Sequence, residues 1–452
     1  MNKKLLLTGI ILPLMMGVSA EQKNMKIWLN NGENYIYPIE EVDSITFSEQ
    51  VRPAYSLSDE NTMPPTLNSP QPLSLTEEQI SFVKGNNEFG KKCLDYIAKG
   101  STKNYCFSPV SLNIALGMCA NTADPTGVKE LADAMGFKTK NPLADMNSYY
   151  NELCQSLNSP IDKVIVTISN ALWLDKGMKE LTKQEFVETL RNQYFSTIRT
   201  LDFINDPNGS KDTINHWADL MTKGRIKEIS ADITDSTKAV INNATYFKGE
   251  WVPEFFSLAD QKFYLSDSSS KEVPIIYTGA PMEYYKTDDY EAVNVFFGIP
   301  QKKGDTYSMI FLMPDEGKSL KEVLPDVQWE NIPFTQQFGY LTMPEFEFNA
   351  NYDLTKTLTD LGIKRIFFTC SEGFYRDDIF VNQVTQDTYI KVDKKGAEAA
   401  AVTTIVMGSG NAARPTFDMK INRPYAFAIR ENKTGLLLFV GIVNDPTYHG
   451  NK

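Results

Sequence analysis

Histidine is scarce in this chain, and the scarcity excludes most hydrolytic active sites. The sequence contains two histidines, His216 inside a predicted helix and His449 among the last four residues. A Ser-His-Asp site needs a histidine that the fold holds in place, and neither position offers this. A G-x-S-x-G elbow is absent, because the run 408–410 has the wrong frame, and the common zinc, P-loop and dinucleotide motifs are missing too. We predict that the protein is not an enzyme and has no catalytic residues and no cofactor.

Cysteine is also sparse, and its spacing argues against a metal site. The chain has five cysteines, an odd number, and no Cys-x-x-Cys pair. Three of them lie in apolar surroundings within the first helical region, where we expect buried thiols that act as small hydrophobic side chains. A disulfide is the alternative for an exported protein. The five are Cys93, Cys106, Cys119, Cys154 and Cys370.

The chain lacks an excess of positive charge and lacks a long apolar run. Its formal net charge is −12, which argues against nucleic acid as a partner. The longest apolar stretch, residues 5–18, follows Lys3 and Lys4 and ends in a small-residue sequence at residues 18–20. It is too short and too interrupted for a membrane span, and it has the form of a secretory signal. We predict a signal peptide over 1–20, no membrane span, and export to the periplasm or the outside.

The sequence predicts a small β-rich extension over residues 21–50. Runs at 25–29 and 35–39 flank an Asn-Asn-Gly turn and predict a hairpin, to which 42–47 adds a third strand. The extension is either a spacer or an interaction element. Five prolines with several Ser and Asn predict a flexible linker over 51–74.

A larger domain follows, in which helices come first and strands come later. A helix begins after residue 75, with Ser74 or Thr76 as its cap, and helical patterns recur to about residue 200. Strand patterns dominate after residue 239, with one more helix near 354–361. This order predicts a mixed α+β domain rather than alternating βαβ units.

The two halves of the stretch from Gly396 to Thr404 favour different secondary structures. Its alanines and glutamate favour a helix, whereas Thr-Thr-Ile-Val favours a strand, so a change of conformation is one interpretation. An Ala-rich helix end followed by a loop is the alternative. In a strand, one face carries no charge, and Glu398 falls on the other face with Ala400, Val402 and Thr404. The uncharged face consists of Ala397, Ala399, Ala401, Thr403 and Ile405.

Several motifs in fixed order resemble those of the serpins, a family of protease inhibitors. The resemblance covers roughly residues 75–452. Its upstream motifs are Phe107-Ser108-Pro109-Val110-Ser111-Leu112, Asn170-Ala171-Leu172-Trp173, Ile214-Asn215-His216-Trp217, Thr222-Lys223-Gly224-Arg225-Ile226 and Tyr246-Phe247-Lys248-Gly249-Glu250-Trp251. Its downstream motifs are the hinge 394–401, Asn422-Arg423-Pro424-Tyr425-Ala426-Phe427-Ala428-Ile429 and Leu438-Phe439-Val440-Gly441-Ile442-Val443-Asn444-Asp445-Pro446. The extension resembles a short N-terminal element of exported Bacteroides-type proteins, which points to a bacterial source.

The resemblance implies a serpin-like fold over 75–452, with a large central sheet, two smaller sheets and an exposed reactive-centre loop at about 394–415. It implies a suicide inhibitor of serine proteases, which are trapped covalently when the cut loop inserts into the central sheet. The uncharged strand face favours a suicide inhibitor over a non-inhibitory binding or structural protein with the same fold. The implied hinge is Gly396, Ala397, Glu398, Ala399, Ala400 and Ala401.

Two departures from the family concern how the central sheet opens. The polar cluster at which it opens matches Ser108, Ser111, Asn243 and Gln386, with the glutamine replacing the common histidine. Lys394 stands where the family usually has glutamate, which puts the usual ion pair in doubt unless its partner has changed as well. The region 141–158, which corresponds to a basic activator site in some serpins, is poor in Lys and Arg, so we expect no polyanion activator.

The position of the reactive bond has three candidates. Counting from Gly396 gives Gly410-Asn411, counting back from Pro424 gives Ala413-Arg414, and Met407 would leave a shorter strand to insert. Pro415 makes cleavage after Arg414 poor. The small residues at 406–413 suit the shallow pockets of elastase-like or subtilisin-like proteases, and a cysteine protease is a further possible target. We predict Gly410-Asn411 or a bond within two or three residues.

Overall fold

Six of the eight helices described in the larger part of the chain begin at a proline or a capping side chain. The structure is a computed structural model, and it describes residues 24–28, 34–38, 73–99, 102–158, 163–298, 307–397 and 414–447. The helix predicted after residue 75 is capped by Thr76, which forms a capping box with Gln79. Four later helices begin with proline, whose missing N–H costs nothing there. The helices are α1 (Glu77–Ile97), α2 (Pro109–Ala120), α3 (Pro125–Met135), α4 (Pro142–Leu157), α5 (Gln184–Gln193), α6 (Pro207–Met221), α7 (Leu320–Val323) and α8 (Thr355–Asp360).

The N-terminal unit contains the two strands of the predicted hairpin. These are β1 (Asn24–Trp28) and β2 (Asn34–Pro38), which pair antiparallel with Trp28 opposite Asn34. Each begins one residue earlier than predicted. The third predicted strand, 42–47, lies outside the described residues.

A six-stranded sheet forms the centre of the larger unit. Its strands run in the order β12-β13-β14-β6-β4-β5, with β5 parallel to β4 and the other neighbours antiparallel. Helix α2 is buried around almost its whole circumference, as an apolar helix inside a large core should be, and it packs against β6. The strands are β4 (Val164–Asp175), β5 (Thr197–Leu201), β6 (Ala239–Glu250), β12 (Phe346–Asp353), β13 (Thr385–Asp393) and β14 (Gly396–Ala397).

The remaining strands form one nine-stranded sheet. The two smaller sheets that the resemblance implies are joined within it. The path runs β15-β11-β8-β9-β10-β16-β17-β3, and β7 pairs with β8 beside it. The 17-residue strand β8 makes the connection, because different parts of it pair with β11 and β9. The mixed α+β prediction is confirmed. The strands are β3 (Tyr105–Phe107), β7 (Phe256–Tyr264), β8 (Ser270–Lys286), β9 (Tyr290–Phe296), β10 (Tyr307–Pro314), β11 (Thr335–Pro344), β15 (Phe417–Lys420), β16 (Tyr425–Glu431) and β17 (Leu437–Val443).

Two glycines with the same backbone conformation allow a test of how closely α1 and α3 approach. Gly136 caps α3 with φ +87°, and a Cβ there would lie 2.6 Å from the Cα of Gly85 in α1. Gly224 has φ +85° with nothing within 4 Å of its Cβ position. We expect Gly224→Ala to cost about 1–2 kcal/mol for the left-handed conformation alone. Gly136→Ala should cost about 1–3 kcal/mol more, because the two helix backbones must separate.

The measurement is the midpoint of thermal unfolding of both variants beside the unmodified chain. Equal midpoints for the two variants would contradict a backbone contact between α1 and α3.

Candidate functional site

The central sheet has a weak point between β13 and β6. The described residues of these strands do not pair with one another, and only the two-residue strand β14 lies between them. Gly396 is opposite Glu250 and Asp393, and Ala397 is opposite Gly249 and Val392. The first two residues of the predicted hinge are therefore already a strand, antiparallel to both neighbours.

Gly396 has to be glycine because β6 passes so close to it. Its φ is +155°, and a Cβ at this position would lie 1.9 Å from the carbonyl oxygen of Gly249. No larger residue fits without moving the strand. Ala397 next to it is buried, with its side chain in the main hydrophobic core.

Trp251, which the sequence motif includes without a stated role, anchors the start of the hinge. Its indole N–H donates to the carbonyl of Asp393 (2.9 Å), and its backbone N–H donates to the carbonyl of Lys395 (3.0 Å). Its ring stacks on Phe297 with centroids 4.4 Å apart. The turn from β13 to β14 is therefore fastened from the β6 side.

Glu345 lies next to Lys394, the position at which the serpin family usually has a glutamate. A carboxylate is therefore present near this position, although the residue itself is a lysine. The backbone N–H of Lys394 donates to Oε1 of Glu345 at 3.2 Å. Burial raises the pKa of the Glu345 carboxyl, while this hydrogen bond and the positive charges of Lys394 and Lys391 act to lower it. Charges of opposite sign are thus present at the top of β13. Sequence reasoning did not identify Glu345.

Three of the four predicted sheet-opening residues lie together on the β13 side. The amide of Gln386 forms two hydrogen bonds with the backbone of Ser108: it accepts from N–H and donates to C=O, both at 2.9 Å. The Ser108 hydroxyl donates to the carbonyl of Leu438 (2.8 Å) and accepts from the N–H of Ser111 (3.3 Å). A glutamine fulfils both functions without a titratable group, because its amide can donate and accept at once.

The fourth residue, Asn243, belongs to a separate group on the other side of the weak point. Its amide donates to Oδ1 of Asn170 (2.6 Å), and Thr245 donates to its Oδ1 (3.0 Å). Asn170 in turn donates to the carbonyl of Tyr194 (2.7 Å). Since Asn243 lies on β6 and Gln386 on β13, the gap between these strands divides the predicted cluster in two.

A cavity of about 400 Å³ separates the lower halves of β6 and β13. Its lining includes Leu112 and Leu116 of α2, Ile241 and Asn243 of β6, and Gln386 of β13. A void of this size forgoes packing contacts that a filled core would have. The structure therefore contains room that another segment of chain could occupy.

The connection from α6 to β6 lies across the cavity. Ser230 donates to the carboxylate of Asp387 on β13 through both its N–H (3.0 Å) and its hydroxyl (2.7 Å). The adjacent Ile229 packs with Ala244 of β6 in a second hydrophobic cluster. The connection thus contacts both edges of the gap on the face opposite to α2.

Several predicted site residues lie outside the described residues: Glu398, Ala399, Ala400, Ala401, Gly410 and Asn411. His216 lies in α6, as predicted. In the part of the chain that the structure describes, no group of three or more His, Cys, Asp or Glu side chains could hold a metal ion. Within the same part, every helix is too short or too polar to cross a membrane.

Curated relatives match most of the chain. Serpin A3-6 of Bos taurus is 28% identical over 381 residues, which cover 81% of this chain and 89% of that protein. Serine protease inhibitor A3K of Mus musculus is 28% identical, covering 82% and 90%. Serpin-Z10 of Arabidopsis thaliana is also 28% identical, covering 79% and 95%. The mouse protein is named a serine protease inhibitor, and the other two are named serpins.

Solved structures share the fold at lower identity. Human thyroxine-binding globulin, complexed with its hormone, superimposes with a TM-score of 0.73 at 23% identity, covering 82% of this chain and all of that one. The thermophilic serpin tengpin in its native state gives 0.71 at 22% identity, covering 83% and 97%. A sequence profile described as "Serpin (serine protease inhibitor)" matches residues 84–446. With the fold, the divided central sheet and this match in agreement, the chain belongs to the serpin family.

Proposed function

We propose that the protein is an exported suicide inhibitor of serine endopeptidases, preferably elastase-like or subtilisin-like, which also acts on cysteine proteases. The protease attacks the loop at about 394–415 as a substrate and forms an acyl-enzyme with the carbonyl of Gly410. Before water hydrolyses this bond, the loop inserts into the central sheet and carries the protease with it. The partner is therefore a target protease held covalently.

The observation that carries the proposal is the strand β14. Gly396 and Ala397 are paired on both sides, antiparallel to β13 and β6, in the position where an inserted strand would begin. The backbone groups along the facing edges of β6 and β13 would gain partners from such a strand. Extension of β14 needs no new register, because the first two pairs define it.

Extension of that register pairs Glu398, the only charged residue of the segment 396–401, with two opposite charges. Because Gly396 faces Glu250 and Asp393, each further loop residue moves one position back along both neighbours. Glu398 then falls between Lys248 and Lys391. Lys391 already lies 3.7 Å from Asp393, so the inserted glutamate would join an existing charge group. The charged face of the loop therefore meets positive charge.

The same register directs the uncharged face toward the core and the cavity. Ala397 sets the orientation, because its side chain is buried in the main core. Thr403 then falls between Asn243 and Gln386, the two halves of the divided polar cluster. Its hydroxyl can both donate and accept, so it suits a position between two amides. Ile405 falls opposite Ile241, which lines the cavity.

The length of β6 favours Gly410-Asn411 over a cut at Met407. Strand β6 offers twelve positions, Ala239–Glu250, and in the extended register Met407 falls opposite the last of them. A cut there would leave no residue to connect the inserted strand to the protease. A cut after Gly410 leaves three.

The proposal also includes export of the protein, a bacterial source, and residues 21–50 as an N-terminal extension. They are supported by the basic, apolar and small-residue sequence of residues 1–20 and by the resemblance of the extension to those of Bacteroides-type proteins. No polyanion activator is proposed, because α4 contains neither lysine nor arginine.

The direct test mixes the full chain with elastase, subtilisin, trypsin and papain. We expect complexes that survive denaturing electrophoresis with elastase or subtilisin, and release of a C-terminal peptide that begins at or near Asn411. The cleaved protein should unfold at a higher temperature than the intact one, because the inserted strand fills the gap. Clean loop cleavage without a complex would instead indicate a non-inhibitory binding or structural protein, and it would overturn the proposal.

The two faces of the loop provide a matched pair of substitutions. In the extended register, Ala401→Glu directs a carboxylate toward the core between Thr245 and Thr388, where burial without a partner costs several kcal/mol. Ala400→Glu directs it to the opposite face between Tyr246 and Tyr389, near the cations of Lys223 and Arg225. We expect the first variant to form at least tenfold less covalent complex and more cleaved product. The second should stay within about twofold of the unmodified chain.

The comparison is made by densitometry of complex and cleaved inhibitor after reaction with subtilisin. Equal losses in both variants would mean that the loop does not enter the sheet in this register.

The opposite charges of Lys394 and Glu345 give a third prediction. Lys394→Glu should shorten the half-life of inhibitory activity at 37 °C about two- to fivefold, because like charges at the hinge favour its release, with the modest energy of a partly exposed pair. Glu345→Gln keeps an acceptor for the backbone N–H of Lys394 but removes the negative charge, so it should also shorten the half-life. Lys394→Glu combined with Glu345→Gln should live longer than Lys394→Glu alone, because the like charges are gone. A combined variant no better than Lys394→Glu would contradict a role for these charges.

A further inference from the structure

Two of the five cysteines lie in direct contact. Cys119 is in the last turn of α2, and Cys370 lies between the 3-10 turn Arg365–Phe367 and β13, yet their Sγ atoms are 3.4 Å apart. Both side chains are buried. A disulfide bond measures about 2.05 Å, so the two sulfurs need to approach by about 1.4 Å, a distance that side-chain rotation can supply.

The other three cysteines are placed differently. Cys93 lies in α1, Cys106 in β3 and Cys154 in α4, and all are buried free thiols. The nearest described polar contact of Cys154 is the amide of Asn170 at 3.5 Å. All five cysteines are among the described residues, and in this set the only sulfur–sulfur contact is that of Cys119 with Cys370. The odd number in the sequence therefore resolves into one close pair and three separate thiols.

The pair is accessible from the cavity between β6 and β13. Cys119 and Cys370 both line this cavity, whose volume is about 400 Å³. Oγ1 of Thr122 lies 2.7 Å from Sγ of Cys370, and the hydrogen bonds of Cys370 with Cys119 and Thr122 lower the pKa of its thiol. Cys370 is therefore the better nucleophile of the two, because the thiolate is the reactive form.

We propose that Cys119 and Cys370 are an oxidation site that closes to a disulfide when the protein meets a low-molecular-weight disulfide. The Cys370 thiolate attacks one sulfur of the oxidant and releases the first small thiol. Cys119 then loses its proton, attacks Sγ of Cys370 and releases the second small thiol. Two protons and two electrons pass from the cysteines to the oxidant, which is reduced to two thiols.

The bond would fasten the end of α2 to the segment that leads into β13. The two residues are 251 positions apart in the sequence, so the cross-link would restrict a large part of the unfolded chain. Stabilisation of the folded state follows from this restriction. The inference does not depend on whether the protein inhibits a protease, because it concerns the intact chain alone.

The test oxidises the purified full-length protein with cystamine, a small disulfide that fits the cavity. Remaining thiols are then alkylated in denaturant, and peptides are mapped by mass spectrometry without reduction. We expect a linked peptide pair containing Cys119 and Cys370, with Cys93, Cys106 and Cys154 alkylated. Alkylation of all five cysteines, or a linked pair that includes one of the other three, would overturn the proposal.

Thermal unfolding supplies a second readout with matched variants. The oxidised form should unfold about 3–8 °C above the reduced form. Cys119→Ser and Cys370→Ser should each abolish this difference, whereas Cys154→Ser, at a buried thiol without a sulfur neighbour, should retain it. If the linked peptide forms but the oxidised and reduced proteins unfold at the same temperature, the stabilising role is refuted. If Cys370→Ser retains the difference, the assignment of the site is refuted.

Discussion

The structure depends on how the backbone groups along the facing edges of β6 and β13 are satisfied. Strands at an exposed sheet edge present rows of N–H and C=O groups that favour pairing with another strand. In the described residues only Gly396 and Ala397 provide such a partner, at one end of the gap. The remaining length adjoins a cavity, where packing is also incomplete. A segment that entered would satisfy both deficits at once, and this explains why a folded protein could gain stability by changing its fold.

Each side of the gap is bonded within itself. Gln386 and Ser108 join β13 to the start of α2, and Asn243 and Asn170 join β6 to β4. Hydrogen bonds are directional and fix register, so each side resists internal distortion. The gap lies where these two networks do not meet. The connection after α6 contacts both sides, through Ser230 with Asp387 and through the packing of Ile229, and so covers the gap on that face.

Local sequence signals predicted the elements well, and distant contacts less so. The cap at Thr76, the two hairpin strands and the helix near 354–361 follow from short-range patterns, and the structure contains all of them. The division of the polar cluster could not be read from sequence, because it depends on whether β6 pairs with β13. Glu345 and the contact of Cys119 with Cys370 were missed for the same reason. Glu345 contacts a residue 49 positions away, and Cys119 and Cys370 are 251 positions apart. No local sequence pattern marks such distant pairs.

The contrast between the two sides of α2 bears on which part of the sheet moves. The Ser108 end of α2 is tied to β13 by two hydrogen bonds to Gln386, which would both have to break before β13 could shift along the helix. Against β6, the helix presents apolar side chains such as Leu112 and Leu116 at the cavity wall. Apolar contacts are non-directional, so β6 can slide across them at small cost as long as the surface stays covered. If the gap opens as proposed, we therefore expect the side with β6 and β4 to move, and the side with β13 and α2 to be the frame against which it moves. The close contact of Cys119 with Cys370 lies within that frame, so a bond between these residues would strengthen the fixed side and leave the moving side free.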